Sequence, residues 1–490
     1  MKRLHWKLFA ALFALCAFGL AGGYLWLRTA TSPQYAGSLA LAGLEGEVVV
    51  QREPTGVVHI RAESDHDLFF AQGVVHAQDR LWQMEFQRRI GAGRLAEILG
   101  PEALDRDRYL RTWGFYRAAE AAYQRLGAEA RAAIDAYVAG VNAYLVSEPP
   151  LPLELRLLRH EPGPWTGPDV LVWAKMMAYN LADNRRSELR RYRLLARGLS
   201  PERIAALMPL YPGEQMPENA LVPRVTGFSA GRQAEDLLAA DAANRHHLPR
   251  ASNNWVLAGS RTKHGRPLLA NDVHLGMQLP ATWHLMHLQG PGFDVIGATL
   301  PGLPLVTIGR NAHIAWGVTN LAADVEDIYL LDETGPEGYR YRGVDRPFEV
   351  REEVIRVRGA DPVVIRVRET VYGPVISDVV PNPEGAPALA LRWVGHDPDD
   401  TTVEAFLRIN QARNWEEFRA ALTSYVVPGQ NFVYADREGH VGYSASGRLP
   451  KRRLEHSGLY PVPGDGGWDW EGYIRAAELP AVLDPDEGYA

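Results

Sequence analysis

Residues 250–275 read RASNNWVLAGSRTKHGRPLLANDVHL, and the reading of this stretch decides the fold. Before it, from about residue 228 to 250, the chain is rich in Ala, Asp and basic residues, with nothing that demands burial. Directly after Ser252, residues 254–257 open a strand with the β-favouring pair Trp255 and Val256. Cutting the bond between Ala251 and Ser252 would leave a serine at a chain terminus on the end of a sheet, its free α-amino group beside its own hydroxyl. An α-amino group has a reference pKa of roughly 7.7 to 8, so near neutral pH a useful fraction is an unprotonated base. One residue, Ser252, would then supply both nucleophile and base.

Working outward, residues 47–62 predict two short strands around a Pro-Thr-Gly turn. Apolar spacing predicts helices over 67–99 and 112–145, and a third over 168–198, so the first half is mostly α. Beyond Ser252 the pattern changes to short β runs with turns. One helix, over about 402–424, interrupts them before a hairpin whose polar turn lies at 436–439. Helices first and strands afterwards predict an α+β protein with an antiparallel sheet.

The chain has 490 residues, 46% hydrophobic and 23% charged, with a net charge of -7 that argues against nucleic acid as a partner. Lys2, Arg3 and Lys7 precede an uncharged run, residues 8–27, of 20 residues, long enough to cross a bilayer as a helix. By the positive-inside rule everything after Arg28 is exported, which predicts a periplasmic or extracytoplasmic protein anchored by its N-terminal segment. A cleaved signal peptide is the rival reading, but its apolar core is shorter and no small-x-small site ends this run. Cys16, the only cysteine, lies inside the apolar segment, so the exported part has no thiol to oxidise.

Four separated blocks, in order, resemble the penicillin acylase type of N-terminal-nucleophile hydrolase. These are AQDRLWQMEFQRRIGAGRLAEILG (77–100), SNNW (252–255), HGRPLLANDVHL (264–275) and IGRNAHIAWGVTNLAADVEDIYL (308–330). The resemblance runs from about residue 45 to 490. It implies a four-layer αββα fold, two stacked antiparallel sheets between helical layers. It also implies a precursor that cuts itself before Ser252 to give an α/β heterodimer, and an amidohydrolase acting on small N-acyl amides through an acyl-enzyme. The implied divisions are an N-terminal anchor (1–28), an α-subunit-like region (29–227), a spacer (228–251) and the N-terminal part of a β-subunit-like region (252–490).

The resemblance also assigns roles. The backbone N–H of Asn320 is an oxyanion donor, and His274, 22 positions after Ser252, sits near the nucleophile and assists proton movement. Asn253 and Asp272 shape the site by hydrogen bonds. Leu275, Thr307 and Ile308 line the acyl pocket; being aliphatic or small, they favour a flexible aliphatic acyl chain over a phenyl ring. An N-acyl homoserine lactone or other fatty amide is therefore the expected substrate, and the resemblance also implies penicillins. Glu188, Asp324, Glu326 (by its carbonyl) and Asp327 correspond to ligands of a structural Ca²⁺, whose preference is for oxygen donors. No organic cofactor is implied.

Other patterns compete. GFSAG (227–231) satisfies the nucleophile-elbow pattern around Ser229 and would make the protein a serine esterase, but Pro223 interrupts the strand it needs. GAGRLA (91–96) mimics half a dinucleotide fingerprint inside a helix. His284 and His287 have helical ligand spacing with no acidic or third histidine partner evident nearby, and His246 and His247 belong to the spacer. Asn431 reads as part of a hairpin and not as an oxyanion donor.

The resembling families continue past the position of Ala490 into an asparagine that is the second oxyanion donor, an aspartate that binds calcium, and further elements. The expectation is therefore a fold incomplete at the C-terminus: a fragment, a truncated frame or one half of a split protein. An inactive homologue serving only as a binding or structural module is the alternative, since losing one oxyanion donor costs roughly 10²- to 10³-fold in rate.

Overall fold

A computed structural model describes residues 2–182, 184–209, 252–382 and 385–490. The N-terminal segment forms a helix, Lys2–Thr31, whose His5–Thr31 part is long and apolar enough to cross a membrane and is left unburied by the described residues.

The helix Asp65–Ala92 organises the first half. Ser64 caps it, its hydroxyl accepting from the Asp67 N–H at 3.1 Å, and Gly93 ends it in the left-handed conformation that glycine adopts without strain. It lies so close to the helix Ala128–Val146 that a Cβ on Gly73 would stand 2.1 Å from the Tyr137 carbonyl oxygen, and one on Gly140 would stand 1.9 Å from that of Phe70. Two glycines thus let the backbones touch, and either alanine would force the helices apart.

Glycines also divide what periodicity merged. The stretch read as a helix over 67–99 stops at Gly93 and restarts as Ala96–Leu99. That over 112–145 splits, at Gly114 and at Gly127, into the end of Leu104–Trp113, Phe115–Arg125 and Ala128–Val146. Residues 168–198 hold Gly167–Leu181 and Asn184–Ala196. Likewise 402–424 is two helices, Thr402–Gln411 and Trp415–Leu422, the second capped by Asn414, whose Oδ1 accepts from the Glu417 N–H at 2.9 Å.

Among the described residues the main sheet has nine strands, in the order Val49–Arg52, Val58–Arg61, His284–Gln289, Asp294–Thr299, Val306–Asn311, Ile314–Asn320, Gln430–Asp436, Val441–Ser446, Ala481–Leu483. All neighbours are antiparallel except Val58–Arg61 with His284–Gln289, where His59 stands opposite His287. That parallel pair is the exception in an otherwise antiparallel sheet. It arises because two strands from the helical half extend the sheet of the second half, tying together segments on either side of residue 252.

A second layer, the hairpin of Ser252–Leu257 and Leu268–Val273, lies on this sheet. Val256, fully buried, packs against Val433, Ala435 and Val441. Helices cover the other face, where Phe406, Phe418 and Tyr425 pack around Phe432. Helices with antiparallel sheets make this the expected α+β class. The run ending at Ala490 pairs antiparallel with the strand Ser252–Leu257, Val256 N–H donating to the Ala490 carbonyl at 2.8 Å, so the chain at Ala490 is directed toward Ser252.

Candidate active site

Ser252 is the first residue of its strand and stands opposite Val273. What positions it is a side chain. Asn271, on the partner strand, accepts from the Val318 N–H at 2.6 Å through Oδ1, while its Nδ2 donates to the Val318 carbonyl at 3.0 Å and to the Asn253 carbonyl at 3.2 Å. One carboxamide therefore joins the residue after Ser252 to the strand that ends at Asn320. Gly317 makes the approach possible, since a Cβ there would stand 2.9 Å from Asn271 Oδ1. Asn254 adds a second tie, donating to the Asn431 carbonyl at 3.3 Å.

Asn320 is held from two sides. Its Nδ2 donates to the Leu181 carbonyl at 2.9 Å, turning the side chain toward the helix Gly167–Leu181. Asn431 Nδ2 donates to the Asn320 carbonyl at 3.2 Å, and Tyr443 fixes Asn431 by donating to its Oδ1 at 2.7 Å. Asn431 is thus a hairpin residue, in the strand Gln430–Asp436, that orients the end of the neighbouring strand.

Ser252 and Asn320 line one cavity, which encloses about 770 Å³ counting its open mouth. Leu275 and Thr307 line it too; Ile308 does not, and packs instead at the margin of the core. The walls are apolar, built by side chains such as Leu300, Leu303 and Val403, but Trp283, Phe406 and Tyr425 also contribute. The expectation that this pocket disfavours a phenyl ring is therefore corrected. It rested on three positions, whereas these aromatic walls come from elements that the sequence alone did not bring to the pocket. Thr307 Oγ1, like Trp283 Nε1, is buried in this wall without a hydrogen-bond partner.

His274 is not part of the lining, although Val273 and Leu275 on either side of it are. It is exposed, and its Nε2 lies 2.8 Å from Asp272 Oδ2.

The acidic residues singled out between the two halves come together. Asp324 and Asp327 share Arg452, at 3.0 and 2.7 Å, and Asp327 is also 3.2 Å from His456 Nε2. Glu188 is fully buried; its Oε1 accepts from the Ile328 N–H at 3.1 Å and its Oε2 has no partner. The Glu326 carboxylate turns away to the buried Arg185, at 2.9 Å, while its carbonyl faces Arg452 at 3.3 Å. Burial, then the facing Asp327 and Asp324, push the Glu188 carboxyl well above its usual range. Burial also raises Asp324, to about 8, against the pull of Arg452. One guanidinium does not neutralise three carboxylates, and an oxygen-rich donor set with two buried oxygens lacking a hydrogen-bond partner, Glu188 Oε2 and Asp327 Oδ1, has the chemistry a hard divalent cation prefers.

The remaining motifs separate. His284 and His287 lie on a strand, three residues apart and hence on opposite faces, so they do not form a pair. Each nevertheless has an acidic partner, contrary to the sequence reading: Asp79 at 3.1 Å for His284 and Asp294 at 2.9 Å for His287. GAGRLA ends the helix Asp65–Ala92 and carries no dinucleotide geometry. Ser229, His246, His247 and the spacer 228–251 lie outside the described residues.

Comparison with known proteins identifies the family. The family model for penicillin amidase matches residues 47–490. The chain is 32% identical over 495 residues to an acyl-homoserine lactone acylase, QuiP, of Pseudomonas aeruginosa, covering 96% of this chain and 58% of that protein. It is 35% identical over 482 residues to a penicillin acylase 2 proenzyme of a Pseudomonas species, covering 94% of this chain and 60% of the relative. The chain belongs to the penicillin amidase family. It spans about 60% of the length of these relatives.

Proposed function

We propose that the protein is a self-processing amidohydrolase in which Ser252, freed by cleavage of the Ala251–Ser252 bond, attacks N-acyl amides. The single observation that supports this most is that Ser252 and Asn320, from two different layers, line the same apolar cavity. The freed α-amino group takes the proton from Oγ as it attacks the amide carbonyl, and the Asn320 N–H donates to the developing oxyanion. Collapse transfers that proton to the leaving amine and leaves an ester on Ser252. Water then cleaves the ester, returning the hydroxyl and releasing the carboxylic acid. Proton movement is assigned to the α-amino group, with His274 at most tuning the rim together with Asp272.

The acyl chain occupies the cavity. Its apolar walls suit a medium-length aliphatic chain, and Trp283, Phe406 and Tyr425 leave an aryl-acetyl group as a second acceptable occupant. N-acyl homoserine lactones and penicillins are the two substrate classes, in keeping with what the two relatives are named for. A Ca²⁺ held by Glu188, Asp324, Asp327 and the Glu326 carbonyl would fix the helix Asn184–Ala196 to the strand Glu326–Leu330; its role is structural and no chemical step passes through it. The helix Lys2–Thr31 anchors the enzyme, with residues beyond it in the periplasm.

The test is hydrolysis of an acyl homoserine lactone series from four to twelve carbons alongside penicillin G, by wild type and Ser252→Ala. The expected result is release of free amine with an optimum chain length and none from the variant. Equal rates in the two proteins would reject the assignment, and a folded, unprocessed and inert wild type would favour the binding-module alternative.

A further inference from the structure

Where the two halves of the molecule meet in the main sheet, His59 on Val58–Arg61 and His287 on His284–Gln289 face each other across the parallel strand pair, with Nδ1 to Nδ1 3.0 Å. Each ring turns its other nitrogen to a carboxylate: His59 Nε2 is 2.8 Å from Glu53 Oε1, and His287 Nε2 is 2.9 Å from Asp294 Oδ1. An ionised carboxylate only accepts hydrogen bonds, so both Nε2 atoms carry their hydrogen. In the neutral rings both Nδ1 atoms are then bare lone pairs pointed at one another, an arrangement that repels unless something positive sits between them. Histidines that bind metals through one nitrogen while donating from the other to a carboxylate have this same pattern, which fixes the tautomer and raises ligand basicity.

We infer that His59 and His287 bind a divalent transition-metal ion, zinc by preference, between their Nδ1 atoms. Two nitrogens at about 2.0–2.1 Å from a tetrahedral zinc stand roughly 3.3 Å apart, within a few tenths of an ångström of the separation here. The rings are inclined by 75°, and the side chains are 27% and 19% exposed, so an ion has access and water completes its coordination. The neighbouring cation on this face, Arg61, is turned to Gln289 at 3.3 Å. Because the two histidines are 228 positions apart, on either side of residue 252, the ion would clamp together the two segments that cleavage separates.

The experiment is calorimetric titration of the full chain with zinc, paired with Cu²⁺ electron paramagnetic resonance, on wild type, His59→Gln, His287→Gln and Asp294→Asn. Expected are one zinc site weakened at least 100-fold by either histidine change and roughly 10- to 100-fold by Asp294→Asn, and a Cu²⁺ signal with two nitrogen couplings that becomes one in each histidine variant. Asp294 is exposed, so its variant reads the site even where a histidine change impairs folding. Zinc affinity that is unchanged across the variants, or absent from wild type, would overturn the inference.

Discussion

Asn271 completes a two-point pair with Val318, its carboxamide standing in for a neighbouring strand's backbone at 2.6 and 3.0 Å. Because the same Nδ2 also reaches the Asn253 carbonyl, the residue next to Ser252 and the strand leading to Asn320 move together. Replacing Asn271 with Ala leaves buried main-chain groups of Val318 unpaired, a cost of about 1–3 kcal/mol each. It also frees Ser252 to drift by an ångström, worth roughly 100-fold in the rate of the proposed chemistry. We predict slower self-cleavage and a lower melting temperature for Asn271→Ala, and the same direction for Gly317→Ala, whose methyl group would displace the carboxamide. Wild-type cleavage rates in both, followed on denaturing gels, would count against this positioning role.

Glu85 carries the clearest pH signature. It is fully buried and burial opposes its charge, yet the hydrogen bond with His160 and the guanidiniums of Arg88 and Arg89 hold its carboxyl down to about 2. A folded-state value below the unfolded one, near 4.5, means the stabilisation is full above about pH 4.5 and fades as pH falls toward 2. Glu85→Gln should cost about 3 kcal/mol at neutral pH, as breaking a buried ion pair does. The gap from wild type should narrow in acid. Denaturant melts at pH 7, 4 and 3 check this, and a gap that widens in acid would be the wrong sign.

Glu188 separates two accounts of the acidic cluster. If Ca²⁺ holds it, chelation lowers the melting temperature and Glu188→Gln lowers it as well; a ligand at 100 times its Kd contributes about 2.7 kcal/mol. If no cation binds, Glu188→Gln removes a carboxyl that burial and two facing aspartates disfavour, and the melting temperature rises. Melts with and without chelator, in both proteins, read the difference.

Much of this was legible in the chain. The strand opening at Ser252, the turn to β structure after residue 252 and the resemblance blocks point to Ser252 and Asn320, because local strand patterns and short motifs carry them. Residues that act across the fold were not. Trp283, Phe406 and Tyr425 enter the cavity from separate elements, and the acidic partner of His284 is 205 positions away at Asp79. Asn271 stood inside a quoted motif, yet its role depends on Val318, which only the packing of hairpin on sheet brings near. Helix breaks at Gly93 and Gly114 were readable as left-handed caps, but the apolar period on both sides masked them.

Thr307 provides a test of the cavity. Its hydroxyl, like Trp283 Nε1, is a buried polar atom in the wall without a hydrogen-bond partner, so Thr307→Val should leave stability equal or higher by about 1 kcal/mol. It should also cut any preference for acyl chains bearing a hydroxyl or oxo group by roughly tenfold, the loss of one hydrogen bond. Competition between plain and 3-hydroxy acyl amides measures it, and an unchanged preference would place the acyl chain elsewhere.

The most direct measurement is intact-mass analysis with N-terminal sequencing of the purified wild type and of Ser252→Ala. The account predicts a wild-type fragment beginning Ser-Asn-Asn-Trp and a variant that remains one uncut chain. A folded wild type that never acquires that terminus, or a variant cut at the same bond, would contradict it.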